Sequence, residues 1–452
     1  MTTLYSARWV LPVTSPAIVE GAIAVEGDRI VSVGTRVELA KQFPQSNLQD
    51  FGEAAIIPGL VNAHSHLELT AMSGFLENEE TDFFAWLRKL TFARLERMTS
   101  EDLYVSAAWG ACEAIRAGVT CVADASDSAS TTMQALKDVG LAGIVFQESF
   151  GPDPSLAKQN FEKLTTKVAN LRAGETSLVK AGVSPHAPYT VCAPQLEMIS
   201  RFAIDEKLPV MMHAAETSME VSLLREGKGP FADGLSSRNI DWQAPGVSPI
   251  QYLNEHGILN TYPLLAHCIH VDDADIQIMK STGTRVAHCP KSNAKLGHGV
   301  APLLKFVTNG LAVGIGSDSV ASNNICDLFE ESRFALLISR LQAEETTSRT
   351  FLDAGDALRI ATTGGAAALG WEAEIGSLRQ GARADFAVVS LGNSHQIPSY
   401  DVTNTLIFSS SGRDVVMTVI AGQEVYRNGL VRTVDEGRLR VRMNEIAAKL
   451  LM

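Results

Sequence analysis

The sequence predicts an α/β protein, a (β/α)8 TIM barrel with a small β-sandwich domain built from both termini. Short apolar, strand-like runs alternate with helical segments between roughly residues 59 and 370, and both ends of the chain are rich in β-forming residues. The length of 452 residues exceeds the size at which single hydrophobic cores usually stop growing. One large domain and one smaller domain are therefore expected.

The two β-rich ends predict the smaller domain. Near the N-terminus, Ala22–Val25 and Ile30–Val33 flank a short polar turn, which indicates a hairpin. Near the C-terminus, Val415–Ile420 and Glu424–Arg427 flank a glycine-containing turn in the same way. The expected domains are residues 1–58 and 371–452 for the sandwich, the latter with a terminal helix, and residues 59–370 for the barrel.

The middle of the chain contains eight strand candidates, the number that a closed barrel of this type requires. Most of them end in or run into a polar or ionisable residue, which is where such barrels hold their catalytic groups. A doubly wound open sheet is the alternative, but no G-x-G-x-x-G motif follows the first strand. The candidates are Ile56–Ala63, Thr120–Ala125, Gly143–Glu148, Lys180–Ser184, Leu208–His213, Pro263–His267, Arg285–His288 and Ala312–Ser317.

Composition argues against several classes of function. A formal net charge of -13 disfavours a nucleic-acid-binding surface, because phosphate contacts need clustered Lys and Arg. The N-terminus does not resemble a signal peptide and no apolar run approaches membrane-spanning length, so we expect a cytoplasmic protein without membrane association. The six cysteines show no C-x-x-C spacing and are expected to be free thiols. The expected partner is a small molecule, and the sequence leaves a homodimer open.

Ionisable residues at the ends of three predicted strands indicate a metal site. His64 and His66 are two residues apart, so an extended chain points both imidazoles to the same side. His213 ends the fifth strand, and Asp318 follows the eighth, which neighbours the first in a closed barrel. Alone, the histidines could be core residues and Asp318 a helix N-cap. Together, three imidazoles and a carboxylate suit Zn²⁺ or Fe²⁺ with room for a water.

Six motifs, in chain order, resemble those of the amidohydrolase superfamily, in particular its branch of heterocycle deaminases and chlorohydrolases. The resemblance extends over essentially the whole chain, including the β-rich ends. The motifs are PGLVNAHSHLEL from Pro58 to Leu69, SPHAPYT from Ser184 to Thr190, HAAET from His213 to Thr217, AHCIH from Ala266 to His270, HCPKSN from His288 to Asn293 and GSDSVASN from Gly316 to Asn323.

The resemblance implies one divalent metal per chain, Zn²⁺ first and Fe²⁺ as the alternative. Binuclear members of the superfamily have a modified lysine at the end of strand four, whereas Lys180 begins that strand here and His186 follows it. One metal is therefore expected rather than two. The ligands implied are His64, His66, His213 and Asp318.

The resemblance also implies the catalytic groups. His267 matches the histidine that hydrogen-bonds the metal-activated water, and Asp318 can accept the proton of that water. Glu216 matches the proton shuttle, which protonates the ring nitrogen beside the attacked carbon and then helps ammonia leave. The implied enzyme is a metal-dependent deaminase of an aminated N-heterocycle, acting on a cyclic amidine C–N bond.

Five further residues are candidates for substrate binding. His186 resembles a substrate-contacting histidine of the family, with a loop histidine as the structural alternative. Trp86 resembles an aromatic wall over the substrate ring, although its apolar surroundings are also typical of a helix core. Glu68 and Asn293 lie in the motifs, and Glu148, which ends the third strand candidate, completes the set.

The substrate expected is an adenine-type nucleoside derivative. Deaminases of S-adenosylhomocysteine and methylthioadenosine have a glutamate on the helix after the tryptophan, and Leu90–Leu95 has none, Glu96 being one place off. His66–Leu69 and Gln147–Glu148 are more similar to aminodeoxyfutalosine deaminases. The alternatives are a chlorohydrolase or other hydrolase of a triazine- or pterin-like ring, and a non-catalytic binding protein. The latter would have no reason to retain all the catalytic groups together.

Overall fold

The computed structural model describes residues 1–342 and 351–452. Its strands form one nine-stranded sheet and two four-stranded parallel sheets. The strands are β1 (Thr3–Val10), β2 (Ile18–Glu26), β3 (Arg29–Thr35), β4 (Asn47–Asp50), β5 (Ala54–Pro58), β6 (Leu60–Ser65), β7 (Val119–Ser126), β8 (Ala142–Ser149), β9 (Val179–Pro185), β10 (Met211–Ala214), β11 (Leu264–His267), β12 (Arg285–His288), β13 (Val313–Ile315), β14 (Phe386–Ser390), β15 (Val415–Ile420), β16 (Gln423–Arg427) and β17 (Leu430–Val431).

Helices connect the barrel strands and flank them on the outside. Many begin at a side chain that caps the free backbone N–H groups, as Thr99 does for α3 in a capping box with Asp102. The helices are α1 (Arg36–Gln42), α2 (Phe83–Arg97), α3 (Ser100–Arg116), α4 (Ala129–Val139), α5 (Ala157–Ala173), α6 (Ala193–Glu206), α7 (Ser218–Glu226), α8 (Pro230–Ser237), α9 (Pro249–Glu255), α10 (Asp273–Ser281), α11 (Pro290–Lys295), α12 (Leu303–Thr308), α13 (Val320–Asn323), α14 (Leu328–Leu341), α15 (Ala354–Arg359), α16 (Gly365–Leu369), α17 (Val402–Asn404) and α18 (Glu436–Leu450).

The two parallel sheets close into one barrel, with β6 to β9 in one sheet and β10 to β13 in the other. Single bridges join them, one between Val183 of β9 and Val210, the other between Ser65 of β6 and Asp318. Apolar side chains from strands that are not neighbours, among them Phe146 of β8 and Leu264 of β11, share one buried cluster. The barrel interior is therefore packed rather than open, and the predicted (β/α)8 fold is confirmed.

The predicted single strand Ile56–Ala63 is wrong, because the chain changes sheets in the middle of it. β5 ends at Pro58 and pairs with β14, whereas β6 begins at Leu60 and pairs with β7. Gly59 makes the change possible, since a Cβ atom there would lie 2.0 Å from Oγ1 of Thr120. The apolar run is continuous in sequence, so its pattern alone could not show the break.

Both ends of the chain contribute to the nine-stranded sheet, as predicted. β1 pairs antiparallel with β2, and it pairs in parallel with β4 along its first half and with β5 along its second. The C-terminal strands β14 to β17 continue the sheet from β5. Tyr5 of β1 contacts Phe386 of β14 edge-on, with ring centroids 4.9 Å apart. The domain boundaries at residues 58 and 371 remain a prediction.

The terminal helix α18 lies against the barrel. Lys449 pairs with Asp102 at the start of α3, with its Nζ 2.7 Å from the carboxylate, and Arg116 pairs with Glu436 at the same distance. Across residues 1–342 and 351–452, no helix combines the length and apolarity needed to cross a membrane.

We expect Asp385→Ala to lower the free energy of unfolding by about 3–5 kcal/mol, because it leaves the buried Arg383 guanidinium without its counter-charge. Arg383 and Asp385 are both buried, their closest atoms are 2.6 Å apart, and Asp385 also accepts from the backbone N–H of Ala421. Urea unfolding measures the loss. Glu53→Ala, which breaks the exposed pair with Arg8, is the control and should cost less than about 1 kcal/mol.

Candidate active site

The four expected metal ligands meet at the carboxyl ends of the barrel strands. His66 Nε2 lies 3.2 Å from His213 Nε2, and Asp318 Oδ1 lies 3.4 Å from His64 Nε2 and 3.6 Å from His66 Nε2. The bridge between Ser65 and Asp318 produces this meeting, since Asp318 donates its backbone N–H to the carbonyl of His64. Nitrogen and carboxylate ligands at such spacing suit a tetrahedral divalent ion.

The hydrogen bonds of the imidazoles leave their inward nitrogens free. His213 donates from Nδ1 to the carbonyl of His186 at 2.9 Å, and the His66 ring bonds the carbonyl of Ala125. Burial, with the charge of His64, lowers the pKa of His66 to about 3, and burial also holds the pKa of His213 well below its usual value. Both rings are therefore neutral and direct lone pairs at each other. A cation between them removes that repulsion, so the residues fit a metal.

His64 gives the same indication. Its Nε2 is fully buried and has no hydrogen-bond partner among the described residues. Its Nδ1 contacts the sulfur of Met211 at 3.1 Å. Buried polar atoms normally have a partner, so an unpartnered nitrogen aimed at the ligand cluster fits a metal ligand.

Asp318 is held as an ionised carboxylate. Burial raises its pKa, but His64, whose Nε2 lies 3.4 Å from Oδ1, and the neighbouring imidazoles outweigh burial and hold the pKa well below its usual value. Ser292 donates to Oδ2 at 2.5 Å and the Ser319 backbone N–H donates to Oδ1 at 2.7 Å. The Asp318 backbone has a φ of 58°. A non-glycine residue in this left-handed region is strained, which is common at functional sites.

Glu216 lies beside the ligand cluster, and the pKa of its carboxyl group is shifted in the opposite direction to that of Asp318. Burial raises the pKa of its carboxyl group. Oε1 is 3.8 Å from His267 Nε2 and 3.6 Å from His298 Nε2, and the Tyr189 hydroxyl donates to Oε2 at 3.3 Å. Glu220 fixes the turn by accepting from the backbone N–H of Glu216 at 2.9 Å. The arrangement gives a carboxyl group that can hold a proton next to a metal site.

Asn293 lies behind His267 rather than in the cavity wall. Its Oδ1 is 2.8 Å from His267 Nδ1, so the His267 ring donates there and directs Nε2 towards Glu216. Sequence reasoning proposed Asn293 as a substrate contact. The structure instead favours a positioning role through His267.

The other candidates line one cavity of about 510 Å³ that opens from the ligand cluster. Trp86 of α2 is buried and stacks on Phe83 with ring centroids 5.9 Å apart. His186 lies beside His213, and its Nδ1 is 2.8 Å from the Thr190 hydroxyl. Glu68 and Glu148 face the cavity from another side. The roles of these residues remain predictions.

Several cavity residues escaped sequence reasoning. Tyr189 lies within a recognised motif, so the motif itself could have indicated it. Arg94 and Asp127 follow no pattern that separates them from ordinary loop or helix residues. The same holds for His298, which lies 3.6 Å from Glu216 without lining the cavity. Their roles depend on contacts between elements that are distant in sequence.

The comparison with protein families decides the relationship. The model of the amidohydrolase family matches residues 55–425. The chain belongs to the amidohydrolase family. A second, short match, to an imidazolonepropionase-like composite domain of bacteria, covers residues 21–45 within β2 and β3 and the helix that follows.

Named relatives of this amidohydrolase include two 5-methylthioadenosine/S-adenosylhomocysteine deaminases. That of Haloarcula marismortui is 33% identical over 89% of this chain and 88% of its own length. That of Symbiobacterium thermophilum is 32% identical over 98% of this chain and 97% of its own. The predicted superfamily and branch are thereby confirmed.

Solved structures agree on the fold. A zinc-bound adenosine deaminase from Xanthomonas campestris is 26% identical with a TM-score of 0.87, covering 99% of this chain and 98% of the other. A zinc-bound atrazine chlorohydrolase of Arthrobacter aurescens is 21% identical with a TM-score of 0.84, covering 98% of this chain and all of the other. Zinc in the deaminase and the ligand cluster here support the predicted single divalent metal.

We expect about one Zn²⁺ or Fe²⁺ per chain, and its loss in His213→Ala, because the three remaining ligands leave an incomplete site. Elemental analysis of the purified proteins measures this. His256→Ala, a histidine paired with Glu197 outside the site, should retain the metal. Two equivalents in the unmodified protein, or full content in His213→Ala, would contradict a single-metal site.

We expect Asn293→Ala to lower kcat by about 10- to 100-fold with metal content preserved, because His267 loses the acceptor that fixes its ring orientation. Steady-state kinetics and metal analysis on one preparation measure both effects. Asn309→Ala, at the surface, is the matched control. A loss of metal together with activity would assign Asn293 to the architecture of the site rather than to His267.

Proposed function

We propose that this amidohydrolase removes the amino group of an adenine-type nucleoside derivative by hydrolysis. The observation that supports this most is the buried Glu216 carboxyl group, with its raised pKa, beside three histidines and an ionised aspartate. A protonated acid next to a metal site is what an amine leaving group requires.

The predicted class of reaction is confirmed at the level of hydrolytic deamination of an N-heterocycle. The curated relatives are named as deaminases of 5-methylthioadenosine and S-adenosylhomocysteine, and they align over most of this chain. The predicted enzyme class, a hydrolase of C–N bonds in cyclic amidines, is confirmed with it.

The reaction can be written from the residues of this chain. When bound by His64, His66, His213 and Asp318, a divalent metal supplies a Lewis acid that makes water nucleophilic at neutral pH. Asp318 accepts a proton as the water oxygen bonds to the aminated carbon, and Glu216 gives its proton to the adjacent ring nitrogen. The carbon–amine bond then breaks. Ammonia leaves with the proton from Asp318, the proton of the added hydroxyl group returns to Glu216, and a ring carbonyl forms. His267 hydrogen-bonds the attacking oxygen and is held in orientation by Asn293.

The cavity supports a flat ring as substrate. Trp86, Leu87 and Leu90 give it an apolar wall from α2, while His186 and Tyr189 lie in its lining nearer the ligand cluster. A volume of about 510 Å³ is in the range of pockets for small organic ligands, so a nucleoside fits.

The substrate within this class is a finer proposal. On α2, Leu95 lines the cavity and Glu96 does not, so the helix contributes no acid to it. This supports a nucleoside bound differently from the expected family pattern, and aminodeoxyfutalosine stays the predicted candidate beside the substrates named for the relatives. A chlorohydrolase of a triazine-like ring is the alternative. The likeness to atrazine chlorohydrolase shows the fold alone, and chloride needs no proton donor such as Glu216.

The assembly and location belong to the same proposal. Exposed apolar side chains on α2, Phe92 and Leu95, support the homodimer. The net charge of -13 supports the absence of a nucleic-acid partner. A cytoplasmic location and the absence of membrane association are expected with them.

We expect Glu216→Gln to lower kcat for the best deamination substrate by about 10²- to 10⁴-fold, because the amide cannot deliver the proton. Ammonia release is measured across aminated purines, pterins, pyrimidines and futalosine-type nucleosides. Metal content and affinity for the deaminated product should change little.

Glu220→Gln tests whether any buried carboxyl group beside this turn has the same effect. Glu220 supports the backbone of Ala215 and Glu216, so it acts on the turn and not on the substrate. Its substitution should lower the free energy of unfolding, and kcat should fall much less than it does in Glu216→Gln. Near-normal ammonia release by folded, metal-replete Glu216→Gln would contradict the mechanism and favour a non-deaminating hydrolase.

A further inference from the structure

One wall of the substrate cavity is acidic, and it lies on the side of β6, β7 and β8. Glu68 follows β6, Asp127 follows β7 and Glu148 lies in β8, and all three line the cavity. The guanidinium of Arg94 in α2 packs between Glu68 and Asp127. The three carboxyl groups differ in whether they have hydrogen-bond partners within the protein.

Glu68 and Asp127 are already occupied. Arg94 donates from Nε to Glu68 Oε1 at 2.9 Å and from its Nη2 to Asp127 Oδ2 at 2.8 Å. Glu68 also accepts from the backbone N–H of Ser128 at 3.1 Å, and Lys167 donates to Asp127 at 2.8 Å. These two carboxylates already have hydrogen-bond partners within the protein. They form part of the cavity wall but are not available to bind a ligand.

Glu148 differs from both neighbours. Its side chain has no hydrogen-bond partner among the described residues, although its Oε1 is fully buried and the residue is only 7% exposed. Leaving a buried carboxyl group without a partner costs free energy, and a donor on a bound ligand would remove that cost. Burial raises the pKa of the Glu148 carboxyl group well above its usual value, and with or without a proton the group keeps an oxygen that accepts hydrogen bonds. A ligand with O–H or N–H donors would therefore satisfy it.

His186, next to Glu148, also presents a hydrogen-bond acceptor to the cavity. The Thr190 hydroxyl donates its one hydrogen to the carbonyl of Ala187, so it must accept from Nδ1–H of His186. The neutral ring then has a lone pair at Nε2. Two acceptors therefore lie close together, since a carboxylate oxygen of Glu148 and a nitrogen of His186 are within 4.8 Å.

We propose that Glu148 accepts hydrogen bonds from the sugar hydroxyl groups of the nucleoside and so selects ribonucleosides over their deoxy forms. Two adjacent hydroxyl groups supply two donors to one carboxylate and its neighbour. The inference rests on the proposed deamination of an adenine-type nucleoside. Glu148 is a specificity-determining residue under this assignment, because α2 contributes Trp86, Leu87, Leu90 and Leu95 to the cavity and no acid.

The rival occupant is a second cation. Glu148, His186 and His213 present one ligand atom each within 4.8 Å of one another, which a metal could also bridge. His213 already donates through Nδ1 to a backbone carbonyl and directs its Nε2 to His66, so it has no free nitrogen for a second ion. The diol is therefore favoured over the metal.

The test compares sugars on the metal-replete, full-length enzyme. kcat/KM is measured for the best substrate among adenosine, 5-methylthioadenosine and S-adenosylhomocysteine, and for adenosine against 2′-deoxyadenosine and 3′-deoxyadenosine. The unmodified enzyme should prefer adenosine over at least one deoxy form by about 10- to 100-fold, the cost of leaving a buried polar group without its hydrogen-bond partner. Glu148→Gln should lose most of that preference while its activity on the deoxy form falls less than about 3-fold.

Glu96→Gln is the matched control, the same change on an exposed residue of α2 outside the cavity, and should keep the preference. An unmodified enzyme that does not distinguish adenosine from either deoxy form overturns the inference, whether or not Glu148→Gln folds. Equal losses on both sugars in Glu148→Gln overturn it too, as does a second metal equivalent that disappears in this variant. Absence of ammonia from every nucleoside would overturn the proposed function, and the sugar assignment with it.

Discussion

The contact between the ends of β6 and β13 is the constraint on which the site depends. Closing the barrel there places the backbone N–H of Asp318 on the carbonyl of His64, and this single bond joins ligands from opposite ends of the barrel sequence. The product is a buried group of neutral imidazoles whose lone pairs converge. Converging lone pairs repel one another, and a bound cation relieves that repulsion. The folded barrel therefore favours metal binding at this point.

Burial acts on two carboxyl groups in opposite directions. Asp318 is surrounded by imidazoles and by donors from Ser292 and Ser319, so its pKa falls despite burial. Glu216 accepts one hydrogen bond, from the Tyr189 hydroxyl, and burial outweighs this bond and the nearby His267, so its pKa rises. Environments that separate two acids in this way assign one as the proton acceptor and the other as the proton donor.

The sequence indicated the barrel and the ligand set because both depend on local patterns. Alternating apolar runs mark strands, and residues directly after a strand must lie at its carboxyl end, which located His64, His66, His213 and Asp318. Local patterns did not predict the strand break at Gly59, because that break depends on a contact with Thr120, which is distant in sequence. Asn293 is a second case: only the folded barrel places it behind His267 instead of in the cavity.

The two walls of the cavity explain why one scaffold can serve several heterocycles. The metal ligands and Glu216 act on the aminated carbon and its neighbouring nitrogen, which many rings share. Trp86 and the leucines of α2 give the cavity a flat apolar surface, which can contact any planar ring. The wall formed after β6, β7 and β8 is the proposed source of discrimination, because Arg94 bonds Glu68 and Asp127 there while Glu148 has no partner among the described residues. An unsatisfied buried acceptor penalises any substrate that lacks a donor at that point, and this is a stronger filter than shape alone.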